Sequence, residues 1–162
     1  MNKTKKLTYV TMLTALAIVI NVAENAFLPS LPLGIRFGLA NIIALITINL
    51  FDNGEMVTVN IMRVILANLL TGTIFGTKFF IAIGGVILSS VSLIITKKLK
   101  CTILFSSIIS ALCHMAGQML VVSFIYGTLM MFTAFPLYII SAVGTGILTG
   151  IIASEVLKSV KI

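Results

Sequence analysis

The sequence from 79 to 126 reads FFIAIGGVILSSVSLIIT, KKLK and CTILFSSIISALCHMAGQMLVVSFIY, which is two apolar stretches joined by a basic turn. A helix needs about 20 mostly apolar residues to cross the hydrocarbon core of a bilayer. Both stretches have close to this length, and neither contains Asp, Glu, Lys or Arg. Lysines between two such helices are typical of cytoplasmic loops. The sequence therefore predicts two membrane-spanning helices that are joined on the cytoplasmic side.

The composition extends this prediction to the whole chain. Of its 162 residues, 59% are hydrophobic and only 9% are charged, whereas about 25% of the residues in soluble domains are charged. So few charges could not cover a water-facing surface, but they are enough for a lipid-facing one. At about 20 residues for each span, the chain has room for about six helices and for no separate soluble domain of ordinary size. We therefore expect a single integral membrane domain over residues 1–162.

Six apolar segments are predicted to be helices, with breaks rich in Pro, Gly, Asp or Lys between them. Their predicted bounds are 7–27, 37–51, 56–77, 79–96, 101–126 and 133–157. The second segment is short for a full span. It is tilted little, lies in a locally thinned region, or is broken, and a re-entrant hairpin there would change the helix count.

The basic residues orient these helices. Six crossings with the N-terminus inside place eight of the 11 basic residues in the cytoplasm: Lys3, Lys5, Lys6, Lys97, Lys98, Lys100, Lys158 and Lys161. Arg36 and Lys78 then lie outside, and Arg63 lies within a helix. This is the bias expected of a membrane protein. We predict an all-α, six-transmembrane-helix bundle with both termini in the cytoplasm, as a multi-pass protein of the cell (plasma) membrane.

Other classes of protein fit the sequence poorly. The basic residues lie at segment ends and form no broad face, so no nucleic-acid partner is expected. The lysine-rich start resembles a signal peptide, but no clear cleavage site follows, so we expect a retained first helix. The sequence has no Walker A loop, no Gly-x-Ser-x-Gly, no zincin motif and no Asp-rich pair. We therefore expect no enzyme activity, no catalytic residue, no cofactor and no metal, and transport could not be energised by this chain alone.

Small residues spaced four apart predict where helices pack closely. In the sixth segment they are Ala142, Gly146, Gly150 and Ser154, and in the third they are Gly72 and Gly76. We expect both ridges to pack within the bundle rather than to form a dimer seam. Cys101 and Cys113 are interpreted as small apolar packing residues.

Ionisable residues within apolar segments are candidates for function because burying a charge in lipid is costly. Glu24, near the outer end of the first helix, and Arg36 are predicted to lie at the same height and to pair. The pair either contributes to a binding site or only holds the loop between them, with both side chains reaching water.

His114 and Gln118 are four residues apart and share a helix face. A lone histidine is usually a packing residue, and no second ligand type near it makes a metal site. A polar face inside a bundle is nonetheless what a ligand pocket needs. Arg63 is predicted to lie in the cytoplasmic half, where it could anchor on the turn Asp52–Glu55, so we expect it to have a structural or partner-docking role.

The stretch 24–41, ENAFLPSLPLGIRFGLAN, resembles the signature of the heptaprenyl diphosphate synthase component I family, also called the Gx transporter family. The segment 111–118, ALCHMAGQ, looks like the second landmark of that family. Arg63-Val64-Ile65-Leu66, followed by Gly72 and Gly76, fits its third helix. The family is similar in size and helix number to the substrate-capture (S) components of energy-coupling factor transporters.

This resemblance implies a membrane-embedded subunit that binds a small vitamin-like or metabolite solute. It implies a lid in the first loop, formed by Pro29, Pro32 and Gly34, above a pocket approached by Glu24, Arg36, Asn41, His114 and Gln118. A transmembrane coupling protein and two ATPase subunits would supply the energy. The nearest match to the small residues through which S components dock is Thr11 with Ala15, while Val19, four residues further on, departs from that pattern.

Two other functions stay open. The first is that of an accessory membrane component of heptaprenyl diphosphate, quinone or other isoprenoid biosynthesis, as the family name implies. The second is that of a structural adaptor. The solute itself is not defined by the sequence. Arg36 with His114 would suit an anionic or aromatic molecule, whereas Glu24 beside them would suit a cation.

Overall fold

The computed structural model describes residues 2–27, 36–127 and 135–160. It contains six helices: α1 (Lys3–Phe27), α2 (Asn41–Leu50), α3 (Asn53–Leu70), α4 (Thr77–Lys98), α5 (Ile103–Tyr126) and α6 (Phe135–Ser159). Over these ranges the structure has no β-strand. The predicted all-α class is therefore confirmed.

Four of the helices are long and apolar enough to cross a membrane: α1, α4, α5 and α6. The shortest of them, α4, has 22 residues, or about 33 Å of helix, which matches a hydrocarbon core of about 30 Å. Their observed bounds differ from the predicted ones by a few residues at most. The chain is thus an all-α membrane protein, and a count of six crossings stays a prediction.

α2 is much shorter than a span and lies inside the bundle. Its 10 residues measure about 15 Å, and eight of them are buried. It contacts all five other described helices, so protein rather than lipid surrounds it. The predicted segment began at residue 37, but the helix begins at Asn41. Gly38 precedes it with φ +79°, a left-handed conformation that favours glycine and does not continue a helix.

α3 ends earlier than predicted, at Leu70 instead of residue 77. Gly72 follows with φ +66°, and the Thr73 amide donates to the Asn68 carbonyl oxygen at 2.9 Å, which closes the helix in the manner of a C-terminal cap. The predicted packing ridge of Gly72 and Gly76 is therefore wrong. Both glycines lie outside the helix, and a Cβ added to Gly72 would meet nothing within 4 Å.

The ridge predicted in the sixth segment is confirmed as packing within the bundle. A Cβ added to Gly146 would lie 2.8 Å from Ile108 Cα, and one added to Gly150 would lie 3.0 Å from Ser107 Cβ, so α5 approaches both glycines closely. The neighbouring hydroxyls of Ser107 and Thr149 are hydrogen-bonded at 2.9 Å. Close contact without bulky side chains is how helices associate where lipid removes the hydrophobic force between them.

One end of the bundle is rich in lysine and fixes the C-terminal end of α2. Lys97, in the last turn of α4, donates to the carbonyl oxygens of Ile48 at 2.5 Å and Phe51 at 3.0 Å. Lys6 on α1 lies 2.5 Å from a carboxylate oxygen of Glu55. We call this the lysine-rich end. Because α2 is half the length of a span and ends here, its N-terminus lies near the middle of the bundle.

Candidate functional site

A group of seven polar side chains lies where α1, α3 and α5 meet the N-terminal end of α2. We call it the polar cluster, and its members are Asn21, Glu24, Arg36, Asn41, Arg63, His114 and Gln118. Six of them are at most 9% exposed, and Arg36 is half-buried. So many buried polar groups are costly unless each has a partner, so their hydrogen bonds decide what the cluster can do.

Glu24 binds the backbone that leads into α2. Its two carboxylate oxygens accept from the amides of Gly38 at 2.8 Å and Leu39 at 3.0 Å. Hydrogen bonds from backbone amides to an ionised carboxylate are among the stronger ones in proteins. They tie α1 to residues 36–40, which we call the 36–40 segment, and occupy the amides at the positive end of α2.

The predicted Glu24–Arg36 ion pair is not formed. Within the described ranges, oppositely charged groups come within 4.0 Å at Lys6 with Asp52 and Glu55, and at Lys158 with Glu155. The Arg36 guanidinium instead donates from Nη1 to Asn21 Oδ1 at 3.1 Å. Glu24 and Arg36 do line one cavity, so they share a site without pairing.

Gln118 joins the two sequence landmarks. Its Oε1 accepts from the Arg36 amide at 2.8 Å, and its Nε2 donates to the Arg36 carbonyl oxygen at 3.0 Å. This two-point contact fixes both the side-chain amide of Gln118 and the backbone of the 36–40 segment. With the Glu24 bonds, it holds the segment against α1 on one side and α5 on the other.

Arg63 belongs to the polar cluster and not to the lysine-rich end. Its Nη2 donates to Asn41 Oδ1 at 3.1 Å, and it lines the same cavity as Glu24. The predicted anchor at the turn Asp52–Glu55 is wrong, because Lys6 on α1 lies against that turn instead. At 2% exposed, Arg63 offers no surface to a docking partner in this conformation, and we assign it to the candidate binding residues.

His114 sits between two glycines. A Cβ on Gly38 would lie 2.8 Å from its Cδ2, and a Cβ on Gly85 of α4 would lie 2.7 Å from its Cε1. Both distances are too short for any other residue without movement. The sequence therefore makes room for an imidazole ring by removing side chains from the two backbones beside it.

Several polar atoms of the cluster have no hydrogen-bond partner. They are Asn41 Nδ2, Arg63 Nε and His114 Nδ1. The cavity between the side chains measures about 20 Å³, which is room for about one water molecule. A larger solute would therefore enter only after the 36–40 segment moved. Chemically, the arrangement offers several donors, which suits a ligand rich in acceptor atoms.

The predicted binding residues thus lie together: Glu24, Arg36, His114 and Gln118 line one cavity, and Asn41 contacts it through Arg63. Sequence reasoning missed Asn21, although its spacing of three from Glu24 placed both on one face of α1. The predicted lid residues Pro29, Pro32 and Gly34 lie outside the described residues. The candidate docking residues Thr11 and Ala15 are exposed on α1, and their docking role stays a prediction.

The described part of the chain has no group of three or more His, Cys, Asp or Glu side chains that could hold an ion. Cys101 and Cys113 are free and partly buried. The cluster is therefore a hydrogen-bonding and charged site built from Arg, Asn, Gln, Glu and His.

Comparison with known proteins adds the family. No curated protein matches the chain, and no solved structure matches it. The sequence model of the family described as heptaprenyl diphosphate synthase component I matches residues 13–156, which is most of the chain. The chain therefore belongs to the heptaprenyl diphosphate synthase component I family.

Proposed function

We propose that the chain is a membrane-embedded, solute-binding subunit, similar to the S components of energy-coupling factor transporters, that takes up a small vitamin-like or metabolite solute. The observation that carries this proposal is the polar cluster, with its buried arginines, histidine and amides and its unpartnered donor atoms. Groups of this kind inside a membrane protein are costly, and they mark ligand and ion sites by default.

The depth of the cluster supports a solute site. Asn41 is the first residue of α2, and α2 measures about 15 Å from the lysine-rich end. Arg63 is the eleventh residue of α3 and lies at a similar height. Both are then about halfway through a core of about 30 Å. A charge held this deep does not reach water by extending its side chain, so it needs a partner within the protein or a ligand.

The 36–40 segment supplies a way in. It is the non-helical part of the cluster, and the side chains of Glu24 and Gln118 hold its backbone. We propose that a solute enters when these bonds open and that they close again around it. The loop with Pro29, Pro32 and Gly34, which leads into this segment, would act as the lid.

Energy for uptake would come from partners: a transmembrane coupling protein and two ATPase subunits. Thr11 and Ala15, on the exposed side of α1, are our candidates for the contact. Replacing both with Leu should block uptake and co-purification of the coupling protein while leaving solute binding unchanged. Loss of binding in this variant would instead place these residues in the fold of the site.

Binding measured on the purified protein tests the proposal directly. His114→Ala and Arg36→Ala should each weaken binding of the natural solute at least tenfold. Thr149→Val is the matched control, since it removes a buried hydrogen bond between α5 and α6 away from the cluster and should leave affinity unchanged. Unaltered affinity in both cluster variants would refute this assignment of the site.

A second function rests on the family name and on one surface feature. A groove of about 260 Å³ lies between α5 and α6, with an almost wholly apolar lining that includes Leu112, Met119 and Ile139. A groove of this kind would suit an isoprenoid chain, as an accessory component of heptaprenyl diphosphate or quinone biosynthesis would require. That function predicts that deletion alters isoprenoid chain products and leaves solute uptake intact.

A further inference from the structure

The polar cluster carries an excess of positive charge. The chain has 4 Asp and Glu residues in all, and three of them lie outside the cluster, beside lysines: Asp52, Glu55 and Glu155. Glu24 is therefore the one carboxylate in the cluster. Against it stand the guanidinium groups of Arg36 and Arg63, which stay charged in proteins. Two positive charges and one negative charge leave the cluster with a net charge of one positive.

Within residues 1–162, the other acidic side chains lie elsewhere and do not neutralise this charge. The stretches 28–35 and 128–134, which lie outside the described residues, contain no Asp or Glu. A buried charge without a partner of opposite sign is strongly unfavourable. Because Arg63 is only 2% exposed, the cluster favours a ligand that brings a negative charge with it.

The free donors of the cluster lie on the two residues that are best placed to receive it. Arg63 has five N–H groups, and its Nη2 donates to Asn41 Oδ1, while its Nε has no partner. The Nδ2 group of Asn41 is also without a partner. Both side chains are more than nine-tenths buried, and Arg63 lines the cavity.

The backbone of Gly38 packs closely against Asn41 and His114. A Cβ at this residue would lie 3.1 Å from Asn41 Nδ2 and 3.1 Å from His114 Nε2. The two nitrogens therefore lie on the same side of the Gly38 backbone, and a carboxylate could reach them both once the 36–40 segment moved. The amides of Gly38 and Leu39 are already bound to Glu24, so a ligand would meet side-chain donors and not the helix N-terminus.

From this charge and geometry we infer that the solute carries a carboxylate group, which binds Arg63, Asn41 and His114 at the end of α2. This inference rests on the proposed solute-binding function. A carboxylate supplies the single negative charge that the cluster lacks, and its two oxygens can bind a guanidinium in a bidentate way. A phosphate monoester carries about −1.5 to −2 charges and would leave the cluster negative.

Three probes that share one ring test the charge of the ligand: benzoate, benzamide and benzylamine. The purified chain in detergent is heated with each probe, and its unfolding is followed by a thiol-reactive dye on Cys101 and Cys113. Benzoate should raise the midpoint of unfolding, and neutral benzamide and cationic benzylamine should not. Equal shifts with all three probes, or none with benzoate, would overturn the inference.

Variants locate the effect. Arg63→Gln should abolish the benzoate shift. If this variant does not fold, Arg63→Lys is measured instead; it keeps the charge and should retain part of the shift. Lys78→Gln, which removes an exposed cation in the first turn of α4 outside the cluster, is the control and should keep the full shift. A benzoate shift that persists in folded Arg63→Gln protein would contradict the site.

Two further measurements, the midpoint with inorganic phosphate and the identity of any solute that co-purifies, separate a wrong ligand class from a wrong function. A midpoint raised by phosphate but not by benzoate would overturn the carboxylate class. If a neutral or cationic solute co-purifies with the chain, the inference fails while the proposed binding function stands. If no solute co-purifies and no probe changes the midpoint, both fail.

Discussion

The side-chain amide of Gln118 forms two hydrogen bonds with the backbone of Arg36, at 2.8 and 3.0 Å. Gln118 lies on a long helix that can cross the membrane, and Arg36 lies in the non-helical segment before α2. The contact therefore joins α5 to the 36–40 segment, which would have to move to admit a solute.

Removing the two hydrogen bonds of Gln118 should make the 36–40 segment more mobile. Gln118→Ala breaks two hydrogen bonds, and we expect a loss of about 1–3 kcal/mol in the free energy of unfolding. Hydrogen exchange measured by mass spectrometry should become faster for the amides of residues 36–39. Ser107→Ala, which removes a buried hydrogen bond on the same helix, should leave exchange in this segment unchanged. Unchanged exchange in both variants would mean that Gln118 does not hold the segment.

Gly85 should not tolerate a methyl group. A Cβ there would lie 2.7 Å from His114 Cε1 and 2.9 Å from Gln118 Cγ, so Gly85→Ala should destabilise the protein by about 1–3 kcal/mol through overpacking. Gly144→Ala is the matched control, because nothing lies within 4 Å of its added Cβ. That variant should be unchanged or more stable by up to about 1 kcal/mol, since Ala favours helix over Gly. Similar unfolding curves for the two variants would refute the described packing of His114.

Lys97 should stabilise the end of α2, and its neighbour Lys98 should not. Lys97→Met leaves the carbonyl oxygens of Ile48 and Phe51 without their donor, at a cost of about 1–3 kcal/mol in the free energy of unfolding. Lys98→Met removes an equal charge from a lysine that, like Lys97, is exposed but does not donate to these carbonyl oxygens, and it should have little effect. The comparison separates the effect of the two hydrogen bonds from the general effect of a positive charge. Equal losses of unfolding free energy in the two variants would mean that the charge, and not the hydrogen bonds, stabilises this end.

The predicted orientation can be tested by labelling. In a background without Cys101 and Cys113, a single cysteine at Lys100 should react only with a reagent that reaches the cytoplasm. A cysteine at Lys78, at the other end of α4, should react with a membrane-impermeant reagent from outside. Labelling of both positions from the same side would contradict the positive-inside assignment.

The long helices could be predicted from sequence because hydropathy alone sets their length. α2 and α3 could not be, because their ends depend on contacts within the bundle. α2 is covered by the other helices and needs no lipid-matched length, and its start is set by Gly38 at φ +79°. α3 ends where Thr73 and Asn68 form their own hydrogen bonds, which an apolar window does not detect.

The sequence predicts which residues form the candidate site, but not which hydrogen bonds they make. Glu24, Arg36, His114 and Gln118 stood out as polar residues in apolar segments, and the structure brings them to one cavity. The expected ion pair was wrong because backbone amides compete for the Glu24 carboxylate, which a count of side-chain charges cannot show. Arg63 lies deeper than predicted because α3 begins at Asn53, three residues before the predicted start, and ends at Leu70, seven residues before the predicted end.

The mass of the intact chain, released gently from nanodiscs, shows whether the polar cluster holds a solute. We predict that the wild-type chain carries one small solute, seen as an added mass that heating removes, and that Gln118→Ala and Arg63→Gln chains do not carry it. Thr149→Val, remote from the cluster, should keep the added mass. A wild-type chain without any bound solute, or an added mass that is equal in the cluster variants, would contradict a solute-binding site in the polar cluster.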